Sequence, residues 1–291
     1  MAKIKIAEQF YSLQGEGLYA GVPSVFLRTF GCNFQCRGFG MSEGGLSKEP
    51  ERIANSIDLG EADYNTLPLA KTGCDSYGSW HPKFKHLSKM MTTEDIVSES
   101  VDIVDQGRSF NHPNSRFKNI HYVITGGEPL LGWQRSYPKL FDQLHITGFR
   151  NVTFETNGTQ EITADFKDYL LNSRLLDNRM NLTFSVSAKL SESGETHIDA
   201  IKPEIVTSYQ QLGNVYLKFV VSDNCNLNEI YKVINEYREY GFNGEVHLMP
   251  EGGTPDNYYA NTRKVAELCM MEGYRYSPRL QVDLWGNANA T

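Results

Sequence analysis

The chain has 291 residues, 40% of them hydrophobic and 12% aromatic, which is enough apolar material for one sizeable buried core rather than two small ones. A formal net charge of −7 excludes the global basic field that broad nucleic-acid or anionic-membrane binding requires. No stretch approaches the roughly 18 apolar residues of a membrane span, and the opening Met1-Ala-Lys-Ile-Lys-Ile6 does not lead into a signal-type apolar core. A soluble cytoplasmic protein without membrane or direct nucleic-acid partners is expected.

In chain order, Ser24–Thr29 reads as the first strand. Residues 37–73 follow with neither a sustained helical nor a strand period, and such a length inside a compact domain reads as an insertion that serves a site. From about residue 92 helix-like stretches alternate with short β-branched runs: a helix over 92–106, a strand His121–Thr125, a helix over 134–146, a strand Val152–Glu155 and a helix over 163–176. The alternation continues with strands Leu182–Ser187, Tyr216–Val221 and Val246–Met249, and with helices over 226–240 and 258–272. Arg279–Trp285 alternates like an edge strand. This order predicts a parallel sheet with helices outside it, and roughly six or seven strands are too few for an eight-fold barrel. The expected fold is therefore α/β, an incomplete β/α barrel of partial TIM type, in one domain spanning 1–291.

The five cysteines are Cys32, Cys36, Cys74, Cys225 and Cys269, an odd number in a long chain, which favours metal ligation by some of them over a disulfide framework. Cys32 and Cys36 leave one loop directly after the first strand, so two thiolates can reach one metal centre. Alone, a Cys-x3-Cys pair reads as buried or zinc-bound thiols. Cys225 in an apparent loop, and Cys269 on an apolar helical face, read as ordinary residues. Thr125-Gly-Gly-Glu-Pro129 follows the strand His121–Thr125, and its glycines permit close backbone approach to a ligand. Glu155 and Ser187-Ala188-Lys189 stand at further strand ends, where ligands bind in parallel α/β folds.

Together these segments resemble the radical S-adenosylmethionine superfamily, whose common pattern is Cys-x3-Cys-x2-Cys followed by Gly-Gly-Glu-Pro. The expected third ligand position holds Phe39, but Gly73-Cys-Asp-Ser-Tyr-Gly-Ser-Trp80 resembles the third-ligand context of the 7-carboxy-7-deazaguanine synthases. The resemblance implies an expanded motif with 37 residues between Cys36 and Cys74, residues 37–73 looping out of the cluster-binding loop. Ser12-Leu-Gln-Gly-Glu-Gly17 followed by Phe26-Leu-Arg28 resembles the opening of the same synthases.

The resemblance implies that Cys32, Cys36 and Cys74 hold a 4Fe-4S cluster. It assigns S-adenosylmethionine to Gly126, Gly127, Glu128, Glu155, Ser187, Ala188, Lys189, Met249, Pro250, Glu251 and Gly252, and Mg2+ to Ser76. Leu13, Gln14, Gly15, Glu16, Arg28, Thr125 and the terminal Thr291 fall to a pterin substrate, Arg28 meeting its carboxylate. No residue is catalytic beyond the radical derived from the cofactor. The implied activity is a carbon–nitrogen lyase converting 6-carboxy-5,6,7,8-tetrahydropterin to 7-carboxy-7-deazaguanine, in a homodimer served by a donor such as flavodoxin or ferredoxin. A glycyl-radical activase, or a zinc-stabilised regulatory protein with a worn cysteine motif, are the alternative readings.

Overall fold

A computed structural model describes the chain apart from residues 59, 61, 107–116, 178–179, 223–226 and 289–291 and the side chains of 173–177. The strands are β1 (Lys3–Leu13), β2 (Pro23–Thr29), β3 (Lys89–Thr92), β4 (His121–Gly126), β5 (Asn151–Thr156), β6 (Asn181–Val186), β7 (Asn214–Val221), β8 (Val246–Pro250) and β9 (Arg275–Tyr276). They form one sheet in the order β3-β1-β2-β4-β5-β6-β7-β8-β9. From β2 to β9 every neighbour is parallel, whereas β1 runs antiparallel to both β2 and β3. The ends β3 and β9 do not pair, so the sheet is the expected incomplete barrel.

The helices are α1 (Glu49–Ser56), α2 (Thr93–Gln106), α3 (Tyr137–Thr147), α4 (Ala164–Asp177), α5 (His197–Ala200), α6 (Pro203–Tyr209), α7 (Leu227–Glu239), α8 (Pro255–Glu272) and α9 (Leu280–Trp285). The period-2 alternation of the strands divides labour between the two faces of the sheet. Along β5, Phe154 packs on Tyr137 and Phe141 of α3 and on Phe166 of α4, with ring centroids 5.1, 6.0 and 6.3 Å away. Each such buried aromatic contributes about 1.5–3 kcal/mol. Thr153 and Glu155, on the opposite face, look into the barrel, and inward positions in the other strands are likewise polar: Thr125, Ser185 and Lys218 are all buried. Among the described residues no helix is long and apolar enough to cross a membrane.

Three expectations need correction. Ser24–Thr29 is not the first strand, because β1 precedes it; its residues Glu8 and Gln9 interrupt an apolar pattern, but both face partners inside the protein rather than solvent. Arg279–Trp285 is not an edge strand: Leu280–Trp285 is α9, closed by Gly286 at φ +64°, whose N–H bonds back to Gln281 and Val282. The Leu280 N–H goes to the Gly15 carbonyl at 3.0 Å rather than to a strand neighbour, and β9 takes the closing position. Finally, residues 37–73 are not devoid of regular structure. They carry α1, with Pro50 in its first turn, and a small apolar cluster in which Ala54, Tyr64, Leu67 and Ala70 pack with Tyr77 and Phe84.

Candidate active site

One cavity of about 280 Å³ opens at the carboxyl ends of the parallel strands. Every parallel strand from β2 to β8 sends a side chain into it: Arg28, Thr125, Glu155, Ser185, Lys218 and Met249.

Cys32, Cys36 and Cys74 all face this cavity. The loop after β2 is fixed by backbone geometry before any metal is considered. Gly31 N–H bonds the Ser79 carbonyl at 2.8 Å, and Cys36 adopts a left-handed φ of +48°, which costs a non-glycine residue of order 1 kcal/mol. Glu195 holds that conformation, one carboxylate oxygen accepting the N–H of Gln35 at 3.0 Å and of Cys36 at 2.7 Å. Cys74 reaches the site because the chain leaves at Phe39 and returns at Gly73, where Gly73 N–H donates to Phe39 C=O at 2.7 Å. The neck of that excursion is locked further by Glu49 of α1, which accepts both the Thr72 N–H and hydroxyl at 2.8 Å.

The donor set suits an iron–sulfur cluster. Burial pushes the Cys32 thiol up to about 12 and that of Cys74 to about 11, and raises Cys36 as well, so deprotonation of these thiols calls for a metal cation. The buried indole of Trp80 in the cavity wall turns its N–H toward the Cys74 sulfur, a contact that favours the thiolate. No three His, Cys, Asp or Glu side chains among the described residues converge on a single point. A cluster does not ask for that, since each thiolate binds a different iron.

The Gly126-Gly127 turn lies directly on the cysteine loop. A Cβ on Gly127 would fall 2.3 Å from the Gly31 carbonyl and 2.7 Å from Cys32 Cβ, while Gly126 has φ +146° and no room beside Thr29. Glu128 N–H completes the staple on Gly31 C=O at 2.7 Å. The Glu128 side chain itself turns away from the cavity. Its carboxylate accepts Asn157 N–H at 2.7 Å, Thr156 Oγ1 at 2.8 Å and Leu130 N–H at 3.0 Å, and burial pushes its pKa up to about 7. Ala188 and Pro250 also stay out of the cavity wall, whereas Ser187, Lys189, Met249, Glu251 and Gly252 line it. Burial pushes Glu251 up to about 7.

At the opposite wall Leu13, Gln14, Gly15 and Glu16 line the cavity. Gln14 and Thr125 grip Glu155 from two sides, Nε2 to Oε1 at 3.0 Å and Oγ1 to Oε2 at 3.3 Å. Glu16 is buried with Lys218 as its closest ion partner, Arg279 at 3.3 Å and Gln281 at 2.8 Å. Burial alone would raise its pKa, but Lys218 and Arg279 outweigh burial and hold it at about 2. Glu16 is thus a fixed anion. Arg28 turns Nε to Glu8 Oε1 at 2.6 Å and Nη1 to Ser76 Oγ at 3.4 Å. Arg279 bridges Asp75 at 2.7 Å to the Gly252 carbonyl, tying the Cys74 segment to the end of β8.

Lys218, Asp75, Arg279, Tyr64 and Glu195 escape sequence reading. Lys218 carries a signal, a lone charge inside the apolar run of β7; Glu195 carries none, because only the fold brings it to Cys36. Cys269 sits in the core away from the cavity, as expected. Cys225 and Thr291 lie outside the described residues.

No family model matches the chain. It is 33% identical over 297 residues to the 7-carboxy-7-deazaguanine synthase of Halobacterium salinarum, an alignment covering 99% of this chain and 93% of that protein. Identity to the synthase of Methanospirillum hungatei is 61% over 253 residues, covering 86% of this chain and 74% of the relative. For the synthase of Pyrobaculum aerophilum it is 26%, over 98% of this chain and 96% of that protein. Among solved structures, QueE from Escherichia coli superposes with a TM-score of 0.51 at 22% identity, covering 94% of this chain and 93% of that one, which speaks for the fold alone.

Proposed function

The chain belongs to the 7-carboxy-7-deazaguanine synthase family, and we propose that the cavity at the strand ends is where its residues carry out that family's reaction. The protein is a radical S-adenosylmethionine lyase of deazapurine biosynthesis, turning 6-carboxy-5,6,7,8-tetrahydropterin into 7-carboxy-7-deazaguanine with release of ammonia. The observation that carries the site assignment is the meeting of Cys32, Cys36 and Cys74 with Glu16 and Arg28 in one cavity.

When bound, the 4Fe-4S cluster and S-adenosylmethionine would supply one-electron radical chemistry. The protein's work is to orient and to exclude water. Cys32, Cys36 and Cys74 would hold the cluster, and the Gly126-Gly127 turn, pinned to the cysteine loop, would offer its backbone to the cofactor's methionine end. Glu128 acts through that turn: its three accepted hydrogen bonds tie the segment after β4 to the carboxyl end of β5. Ser187 and Lys189 lie on the cofactor side, with Lys189 Nζ donating to Ser187 Oγ at 2.9 Å. Glu155, held by Gln14 and Thr125 in the cavity wall, would contact the cofactor.

For the substrate, Glu16, whose Oε1 accepts from Arg279 and Gln281 and whose Oε2 accepts from Lys218, keeps acceptor capacity on Oε2 for the N–H edge of a pterin, and Arg28 offers a guanidinium to its carboxylate. Ser76 and Asp75 bring hard oxygen donors to the same end, the kind Mg2+ prefers, and a substrate carboxylate would share that ion. A homodimer, a flavodoxin- or ferredoxin-type electron donor and residues 37–73 as an insertion between the second and third cluster ligands complete the reading.

The test is anaerobic iron and sulfide analysis of wild type and Cys74→Ala, followed by incubation with S-adenosylmethionine, reductant, Mg2+ and 6-carboxytetrahydropterin. Wild type should hold about four irons per chain and form the deazaguanine, and Cys74→Ala should lose both. Retention of the cluster in Cys74→Ala would overturn the ligand assignment.

A further inference from the structure

The excursion between Phe39 and Gly73 does more than bring Cys74 home, because it also places Tyr64 in the cavity wall beside Glu8 and Arg28. Tyr64 is 8% exposed and opens a short turn whose N-cap, Asp63, accepts the Asn65 N–H at 2.9 Å. Its ring packs against Gly78, where an added Cβ would lie 3.0 Å from Tyr64 Cε2, and within the apolar cluster around Leu67, Tyr77 and Phe84. The hydroxyl lies within electrostatic reach of Arg28, Glu8 and Asp75, and burial raises its pKa, so it stays protonated.

Glu8 supplies the second observation. Its Oε1 occupies Arg28 Nε, but its Oε2 is buried in the cavity wall without any hydrogen-bond partner, and its side chain is only 7% exposed. A buried carboxylate oxygen left unpaired is unfavourable unless something donates to it. The Glu8–Arg28 pair is close to neutral overall, so an incoming carboxylate meets less attraction than a free guanidinium would give. It needs a further donor that adds no negative charge, which a protonated phenol provides.

We propose that Tyr64, supplied by the excursion, is a substrate-contacting and specificity-determining residue: its hydroxyl donates to the pterin carboxylate alongside Arg28, while Glu8 Oε2 accepts the neighbouring N5–H of the tetrahydropterin. This rests on the reading that Arg28 meets the substrate carboxylate.

The experiment is anaerobic equilibrium dialysis of the holoprotein with S-adenosylmethionine and no reductant, comparing 6-carboxytetrahydropterin with a tetrahydropterin lacking the carboxylate. Wild type should prefer the carboxylated pterin, and Tyr64→Phe should weaken its binding by roughly tenfold or more while changing the other ligand less than twofold. Iron content and circular dichroism should match wild type. Equal effects on both ligands, or none, would overturn the Tyr64 assignment. Arg28→Gln separates the two levels: if it removes the preference while Tyr64→Phe keeps it, only Tyr64 is wrong. If wild type shows no preference, the substrate-end reading falls with it.

Discussion

The amide of Gly73 donates to the carbonyl of Phe39 at 2.7 Å, so the two ends of a long excursion meet as neighbours and Cys74 emerges beside the position where a compact motif would place its third cysteine. The departure from the usual spacing is thus a matter of sequence and not of space.

Excising residues 40–72, so that Phe39 joins Gly73 directly, is expected to leave iron and sulfide content near wild type. It removes Tyr64 and the small cluster under Phe84, so the melting temperature should fall and affinity for the carboxylated pterin should drop roughly tenfold or more. Metal analysis and dialysis on one preparation check this; loss of iron would mean that the neck does not position Cys74.

Glu195→Ala removes the acceptor that holds the Gln35 and Cys36 amides. With hydrogen bonds to a charged group worth about 1.5–3 kcal/mol, cluster occupancy after limiting reconstitution should fall several-fold, whereas far-ultraviolet circular dichroism should not change. Glu195→Gln keeps one acceptor oxygen and should recover part of the iron.

Gly127→Ala forces a methyl to within 2.3 Å of the Gly31 carbonyl, a contact backbone cannot relieve without moving the cysteine loop. Both S-adenosylmethionine binding and iron content should drop, with a stability loss of about 1–3 kcal/mol from overpacking. An alanine variant that binds both normally would remove the turn from the cofactor site.

Lys218→Met strips Glu16 of its closest ion partner and should destabilise the apoprotein by about 3–5 kcal/mol in urea at pH 7. The pH dependence carries a sign. Glu16 falls from the ordinary 4.5 to about 2 on folding, so its contribution is fully present above pH 4.5 and is lost as pH drops toward 2. In Lys218→Met the folded-state value rises, so stability should change less steeply across that window. Equal slopes in the two proteins would show that Lys218 is not what keeps Glu16 ionised.

The sequence by itself determined the alternating β/α order, the cysteine pair, the Gly-Gly-Glu-Pro turn and the acidic and basic residues at strand ends, because hydrophobic period and local spacing are properties of neighbouring residues. It also pointed to Cys74, through the residues that follow it. The tertiary structure decided what depends on distant partners. The antiparallel pairing of Lys3–Leu13 and the helical state of Leu280–Trp285 follow from contacts with β2 and with Gly15, which override local alternation. Glu195 at Cys36, Lys218 and Arg279 at Glu16, and Tyr64 at Arg28 lie far apart along the chain. Each is brought into reach only when parallel strands align their carboxyl ends and the excursion folds back over them.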